Sequence, residues 1–432
     1  MPQEEFGQEQ RQPAVPRALL TATNRWPSPS RIAIGLAKAG CNVSAVCPTR
    51  GHPLLCTRAV QRTFPYSSLR PLESLMAAIA AATPDIIIPS DDRGVEHLHE
   101  LHACAGRLGP RGAGLAHLIE YSLGPSESYA TVSSRYDLLR IAREEGVRVP
   151  DTKSVKTEDD LKSWQTEHSL PWVLKGDGTF GGKGVKIAQT EEEAEKFFSD
   201  ISRLFGAARV IKRAIINRDP FWLRPWWNNH RPAVSVQSYI QGRPANCALV
   251  CWKGEVMGVI GAEVVSSEGQ TGPAEIVRVI NNAEMDFAAE RIARRLGLSG
   301  FFGLDFIIEE DTGATYLIEL NPRCTPLSHL QLGAGRDLTE ALGAKLSGRP
   351  VRETPPVTKN DLIAYFPQTL QCKSEFLQSS FHDIPEGEPE LVEDLRQPWP
   401  DRHLLYRTVS GMSEIATSVK GWRTNKNGVT NL

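Results

Sequence analysis

Short apolar runs alternate with amphipathic segments in the N-terminal part of the chain. Residues 17–23, 42–47 and 85–90 are apolar and rich in β-branched side chains, which is typical of buried strands. The segments near 30–39 and 71–82, which lie between these runs, have helical periodicity. This order of strands and helices predicts a small parallel sheet with helices on its faces.

The pattern changes further along the chain. Helical periodicity continues over 92–105, 113–122 and 126–145, whereas alternation typical of strands dominates from residue 233 onward. We therefore predict an α/β and α+β multidomain fold, in which a parallel α/β domain precedes antiparallel sheets.

Composition narrows the class of protein. The 432 residues carry a formal net charge of -2, with 41% hydrophobic and 23% charged residues. Because there is no basic excess and no apolar run of about 18 residues, we expect no nucleic-acid partner and no membrane partner. The eight cysteines are scattered without a C-x-x-C pair, so reduced thiols and a cytoplasmic location are expected.

A glycine-rich segment, GDGTFGGKG at 176–184, follows a strand-like run. It contains G-x-G-x-x-G, but a strand pattern follows Gly184, where a dinucleotide site would need a helix. The Walker pattern fails at two positions. A hairpin whose backbone N–H groups from Thr179 to Gly182 follow the phosphates of a nucleotide, with Lys175 on one phosphate, fits better. A glycine-rich surface hairpin without a ligand is the open alternative.

A second hairpin is predicted for residues 303–323, with the turn sequence EDTG between two apolar strands. Folding at this turn places Asp305 opposite Glu319, and Asn321 follows on the same face. Two buried carboxylates with an amide oxygen favour a cation, so we predict a magnesium site, with manganese as the second candidate. Arg323 would stabilise charge on a transferring phosphoryl group. The alternative is an exposed hairpin with solvated acids.

The lysine–glycine hairpin, the segment QSYIQG and the element ELNPR together resemble the ATP-grasp superfamily in order and spacing. The resemblance covers residues 17–345, and E-x-N-P-R is its most specific part. It implies an ATP-grasp fold, with an N-terminal parallel α/β domain and ATP held between two antiparallel sheets. With this resemblance, we expect a pre-ATP-grasp domain at 17–124, a lid region at 125–206 and a central domain with the metal site at 207–350. The polar composition of residues 1–16 predicts a disordered tail, and residues 351–432 form an extension that is left unassigned.

The resemblance also implies nucleotide contacts. Lys175 would bind ATP phosphates, and a hinge on the adenine side would use mainly backbone groups. Two positions depart from the usual family pattern, since Arg135 stands where a second phosphate-binding lysine is common and Gln237 stands where a glutamate is common. The lid loop would comprise Gly178, Thr179, Phe180, Gly181, Gly182, Lys183 and Gly184, and the hinge Gln237, Ser238, Tyr239 and Ile240.

Several other residues are candidates with competing interpretations. Arg278, on a strand, would hold a substrate carboxylate, or is a surface arginine. The segment 90–93, SDDR, follows a parallel strand and would touch substrate or cap a helix. His99 and His102 suggest zinc less strongly than they suggest an ordinary amphipathic helix, and His329 is a weak candidate for proton transfer.

A final candidate is FWLRPWW at 221–227, which would form a pocket wall or simply bury an insertion. Together with these residues, the resemblance to the ATP-grasp superfamily implies an ATP-dependent ligase for small-molecule carboxylate and amine substrates, which would act through an acyl-phosphate with ATP and Mg²⁺. The alternatives are an ATP-grasp carboxylase acting on bicarbonate and a non-catalytic ATP-binding regulator. A homodimer is left open.

Overall fold

The computed structural model of the protein describes residues 15–176, 184–202, 233–269 and 272–397. Within these ranges, the strands form a four-stranded parallel sheet, a second four-stranded sheet and a seven-stranded sheet. None of the helices in these ranges combines the length and the apolar character that a membrane crossing requires.

The N-terminal domain is a parallel sheet in the order β3-β2-β1-β4, as the apolar runs predict. The central strand β1 is buried on both faces, which explains its continuous apolar run. Strand β3 was not predicted, because its sequence VQRTFP lies at the exposed edge of the sheet and lacks an apolar run. The elements are β1 (Arg17–Thr21), α1 (Ser28–Lys38), β2 (Asn42–Cys47), β3 (Val60–Pro65), α2 (Pro71–Ala82), β4 (Ile86–Pro89), α3 (Asp92–Ala105) and α4 (Pro110–Leu123).

The second sheet, which we call the lid sheet, is antiparallel in the order β5-β8-β6-β7. The predicted strand after the glycines is confirmed as β7, and the N–H of Gly176 donates to the carbonyl of Gly184 at 3.0 Å. The elements around this sheet are α5 (Tyr129–Ser133), α6 (Arg135–Glu144), β5 (Thr152–Val155), α7 (Glu158–Gln165), β6 (Trp172–Gly176), β7 (Val185–Ala188), α8 (Glu191–Ser202) and β8 (Val234–Ser238).

The third sheet, the central sheet, has the order β13-β12-β9-β10-β11-β14-β15. Its pairs are antiparallel except for β14 with β15. The elements are β9 (Gly242–Trp252), β10 (Glu255–Ser267), β11 (Ala274–Ile280), α9 (Ala283–Leu296), β12 (Gly300–Glu309), β13 (Thr315–Asn321), α10 (Leu338–Ser347), β14 (Leu362–Tyr365), β15 (Phe381–Asp383) and α11 (Pro389–Arg396).

The central sheet is covered on both faces. One face packs against α6 and α9 through an apolar core that includes Leu139 and Ile292. The other face shares a core with the N-terminal domain, in which Leu36 of α1 and Val250 of β9 belong to one cluster. Sheet pairing crosses the predicted limits at 206 and 350, since β8 pairs with strands of the lid sheet and β14 pairs with β11.

Candidate functional site

The acidic hairpin is formed by β12 and β13. Asp305 lies directly opposite Glu319, and Gly303 lies opposite Asn321, which confirms the predicted register. The turn closes through Gly313, whose φ of 71° belongs to the left-handed region that glycine tolerates best. A short local turn therefore brings the two carboxylates to one face of the sheet.

The carboxylate of Asp305 lies in an unfavourable environment for a charge. Burial, together with the negative charge of Glu319, raises the pKa of Asp305 to about 6. The side-chain amide of Asn321 donates to Asp305 Oδ2 at 2.9 Å, which offsets only part of this effect. The pair Asp305 and Glu319 therefore favours a compensating cation.

Arg135 supplies one such charge from the first residue of α6. Its Nη2 lies 2.5 Å from Oε1 of Glu319, and its own side chain is only 9% exposed. Burial alone would raise the pKa of Glu319, but Arg135 and Lys175 outweigh burial and lower it. Helix α6 begins at this point because the side chain of Ser134 accepts a hydrogen bond from the N–H of Asp137.

Lys175 supplies the second charge from the end of β6 in the lid sheet. The residue is 4% exposed, and its Nζ lies 3.4 Å from the backbone carbonyl of Ile318 in β13. Arg135 also contacts β6, because its Nη1 lies 3.4 Å from the carbonyl of Gly176. Two cations and two carboxylates therefore meet between the lid sheet and the central sheet.

Arg323 lies next to this cluster but pairs with a different acid. Its Nε donates to Oδ2 of Asp92 at 2.9 Å, and its Nη2 lies 3.2 Å from Oδ1 of Asn321. Burial would lower the pKa of Arg323, but the charge of Asp92 outweighs it and raises the pKa. A chain of polar contacts thus runs from Asp92 in the N-terminal domain to Asp305.

The two aspartates after β4 do different things. Asp91 caps α3, because its side chain accepts from the N–H of Gly94 at 2.8 Å and from the N–H of Thr23 at 2.6 Å. The capping interpretation is therefore confirmed for Asp91. Asp92 instead faces Arg323, a contact that joins residues 231 positions apart.

The hinge segment from Gln237 to Ile240 connects the lid sheet to β9. Gln237 is 2% exposed, and it pairs with Thr152 and Val173 in the register of the lid sheet. Tyr239 follows the end of β8 and is 39% exposed. The segment occupies the connection between the two sheets, and its predicted contact with adenine stays a prediction.

The structure does not bring Arg278 together with the carboxylates. Strand register places it on the same face as Ala245 and Phe306, and therefore on the opposite face from Asp305. Its side chain is 40% exposed and lies 3.6 Å from Asp361. A surface arginine, the alternative that the sequence left open, fits this position.

The histidine candidates are engaged in packing. His99 stacks on Tyr129 at 4.0 Å between ring centroids, and Nε2 of His102 lies 3.0 Å from Glu120. Nε2 of His329 lies 2.6 Å from Oδ2 of Asp383, and both side chains are buried. Within the described ranges, no group of three or more His, Cys, Asp or Glu residues is arranged to hold a metal ion, so the zinc interpretation gains no support.

Asn246 is a site residue that the sequence reasoning missed. It lies on β9 directly opposite Asp305, so its side chain shares the face of the carboxylates. Its Oδ1 is buried and has no hydrogen-bond partner in the described part of the chain. The available signal was an amide within the apolar run ANCALV, because a buried amide oxygen needs a donor or a cation.

Part of the predicted site lies outside the described residues. This applies to the Trp-rich segment 221–227 and to the lid-loop residues Gly178, Thr179, Phe180, Gly181, Gly182 and Lys183. The loop is anchored at its described ends by the contact between Gly176 and Gly184.

Comparison with known proteins finds a family model that matches part of this chain. A family model described as an ATP-grasp domain matches residues 222–326. The carbamoyl phosphate synthase arginine-specific large chain of Geobacillus stearothermophilus is 24% identical over 329 residues, which cover 74% of this chain and 29% of that protein. The chain thus spans less than a third of the length of that relative.

Solved structures share the fold at low sequence identity. Biotin carboxylase from Campylobacter jejuni, in its β-γ-ATP complex, has a TM-score of 0.55 and 17% identity, covering 78% of this chain and 72% of that one. The L-amino acid ligase from Bacillus licheniformis has a TM-score of 0.51 and 12% identity, covering 79% and 75%. The predicted fold class is therefore confirmed.

Proposed function

We infer from the matching family model and the shared fold that this chain belongs to the ATP-grasp superfamily, and on that premise we propose that it is an ATP-dependent ligase joining a carboxylate to an amine. The observation that carries the proposal is the meeting of Asp305 and Glu319 with Lys175 and Arg135 between two sheets. Paired acids beside paired cations suit a nucleotide whose phosphates arrive with a divalent metal ion.

The cations would bind the phosphates of ATP. Lys175 offers a compact ammonium group at the base of the glycine loop, and Arg135 offers a planar fork where the family often has lysine. In the proposal, the loop from Gly178 to Gly184 covers the phosphates and excludes water. The backbone from Gln237 to Ile240 contacts the adenine.

The acids and amides fit Mg²⁺ chemically, because carboxylate and amide oxygens are ligands that it prefers. Asp305, Glu319 and Asn321 would hold it, and the buried side-chain oxygen of Asn246 would be a further metal ligand on the same face. Bound Mg²⁺, or Mn²⁺ in its place, would neutralise charge on the phosphates during transfer. It would also satisfy the carboxylates, which otherwise repel each other.

The proposed reaction has two steps. An oxygen of the substrate carboxylate attacks the γ-phosphorus of ATP, and the bond to the β–γ bridging oxygen breaks to release ADP. The amine then attacks the carbonyl carbon of the acyl-phosphate, giving an amide and inorganic phosphate and losing a proton. Arg323 would stabilise the charge of the transferring phosphoryl group.

A carboxylase acting on bicarbonate is the alternative. It is supported by the similarity to proteins named biotin carboxylase and carbamoyl phosphate synthase. The fold does not choose between the two activities, since one fold commonly carries several reactions. A non-catalytic regulator is less well supported, because it has no need of the set formed by Asp305, Glu319, Asn321 and Arg323.

The test is to incubate the protein with ATP, Mg²⁺ and pooled carboxylates and amines, with and without bicarbonate. ADP release and mass identification of the products separate a ligase from a carboxylase. Glu319→Ala should abolish turnover dependent on Mg²⁺, whereas Glu310→Ala, on the exposed turn of the same hairpin, should leave it unchanged. Full activity of the Glu319 variant would contradict the metal assignment.

A further inference from the structure

The N-terminal domain contributes a carboxylate to the edge of the proposed reaction centre. Oδ2 of Asp92 lies 2.9 Å from Nε of Arg323, and the two side chains are 24% and 21% exposed. Asp92 is the first residue of α3, and the preceding Asp91 holds this turn through Thr23 and Gly94. These hydrogen bonds of Asp91 therefore hold the turn that carries Asp92.

The choice of nitrogen matters for what Arg323 is able to do. A guanidinium group binds a phosphate with two parallel N–H bonds, for which its terminal nitrogens are well suited. Asp92 binds Nε instead, and Oδ1 of Asn321 lies 3.2 Å from Nη2. Nη1 also lies 3.4 Å from the carbonyl of Cys324. These contacts define the plane of the guanidinium group, and among the described residues they leave one further N–H on each terminal nitrogen for an anion.

We propose that Asp92 is a positioning residue that orients Arg323 toward the terminal phosphate of ATP. The inference rests on the proposed function, because it assumes that Arg323 meets that phosphate. In this role Asp92 acts through Arg323 and makes no contact of its own with the nucleotide or the substrate carboxylate. The N-terminal domain thereby affects phosphoryl transfer through a side chain of the central domain.

An ion pair of equal length elsewhere in the chain provides a control for a purely structural role. Arg25 and Asp394 also lie 2.9 Å apart, with side chains 10% and 19% exposed, and they join the N-terminal domain to α11. Asp394 has no part in the proposed reaction centre. Asp394→Ala therefore reports the cost of losing an interdomain ion pair alone.

The experiment measures the dissociation constants of ADP and of adenosine 5′-(β,γ-imido)triphosphate by calorimetry with Mg²⁺ present. These nucleotides differ in the terminal phosphate that Arg323 would contact. Asp92→Ala should weaken binding of the triphosphate analogue about tenfold, because a misoriented Arg323 loses one charge-assisted hydrogen bond to the terminal phosphate. The dissociation constant of ADP, which lacks that phosphate, should be unchanged. Asp92→Glu should restore part of the preference, and Asp394→Ala should bind both nucleotides like the native protein.

Melting temperatures of all variants confirm that each is folded. If Asp92→Ala binds both nucleotides normally, or weakens both equally, Asp92 does not position Arg323. If Arg323→Ala loses the preference for the triphosphate while Asp92→Ala keeps it, only the role of Asp92 is wrong. If the native protein binds neither nucleotide, the proposed function fails and this inference fails with it.

Discussion

Lys175 has a buried ammonium group, which is costly unless anions compensate it. The compensation comes from Glu319, whose pKa Lys175 helps to lower, and from the carbonyl of Ile318. In the proposed function, phosphate oxygens of ATP would replace some of these contacts and would supply the negative charge that the buried ammonium group needs. Arg135 and Arg323 are similar, since each is paired with a carboxylate at the edge of the proposed nucleotide site.

Replacing Lys175 tests its phosphate role directly. Lys175→Met keeps much of the apolar stem and removes the charge, so the dissociation constant of ATP should rise by about tenfold or more. Lys186→Met is the matched control, because Lys186 lies on the paired strand β7 with its side chain exposed. Equal ATP affinities of the two variants, measured by calorimetry, would remove Lys175 from the nucleotide site.

Helix α10 is tied to its surroundings by a buried charged residue. Glu340 of α10 is hydrogen-bonded by Arg349 and Arg352, and its side chain is 3% exposed. The same arginines donate to the carbonyls of Ala39 and Lys38 at the end of α1, at 2.7 and 2.9 Å. One buried carboxylate therefore organises the contact between α10 and α1.

Removing this charge should destabilise the protein. Glu340→Gln should lower the free energy of unfolding by about 3 kcal/mol at pH 7, because two arginines lose their anion. Denaturant unfolding measures this value. Glu144→Gln is the control, since Glu144 pairs with Arg140 on an exposed helix face and should change stability by at most about 0.5 kcal/mol.

The loss of stability in Glu340→Gln should depend on pH. Burial alone would raise the pKa of Glu340, but Arg349 and Arg352 outweigh it and lower the pKa to about 2. The folded pKa is below the unfolded one, so the native protein loses this stabilisation as pH falls from about 4.5 toward 2. The difference in stability between native protein and Glu340→Gln should shrink over that range; a constant difference would contradict the assignment.

At the level of the whole molecule, the N-terminal domain and the central sheet share one core. Leu36, Val250 and Leu338 are fully buried in a single cluster that spans both. The contact of Asp92 with Arg323 lies along the same boundary. We therefore expect the two regions to unfold together rather than as independent domains.

A cavity in the shared core tests this expectation. Leu36→Ala should cost about 2–5 kcal/mol and should reduce hydrogen-exchange protection of β2 and β9 in parallel. Leu69→Ala, at a position 79% exposed, should stay within about 0.5 kcal/mol of the native protein. Loss of protection confined to β2 would show that the central sheet is stable on its own.

Local features of the chain were readable from the sequence. The parallel order of strands and helices, the strand after the glycines and the opposition of Asp305 and Glu319 all depend on neighbours in sequence. A short turn sets the register of a hairpin, and strand alternation then assigns each side chain to a face. The ATP-grasp fold was implied by the resemblance of three sequence elements to that superfamily, and the comparisons confirm it.

Contacts between distant segments required the folded structure. Arg135 reaches Glu319 across 184 positions, and Asp92 reaches Arg323 across 231. Strand order, which places Asn246 beside Asp305 and turns Arg278 to the other face, also joins segments far apart in the chain. Periodicity reveals which face of an element is apolar, but the partner of each polar side chain depends on how whole elements pack, so it became visible only in three dimensions.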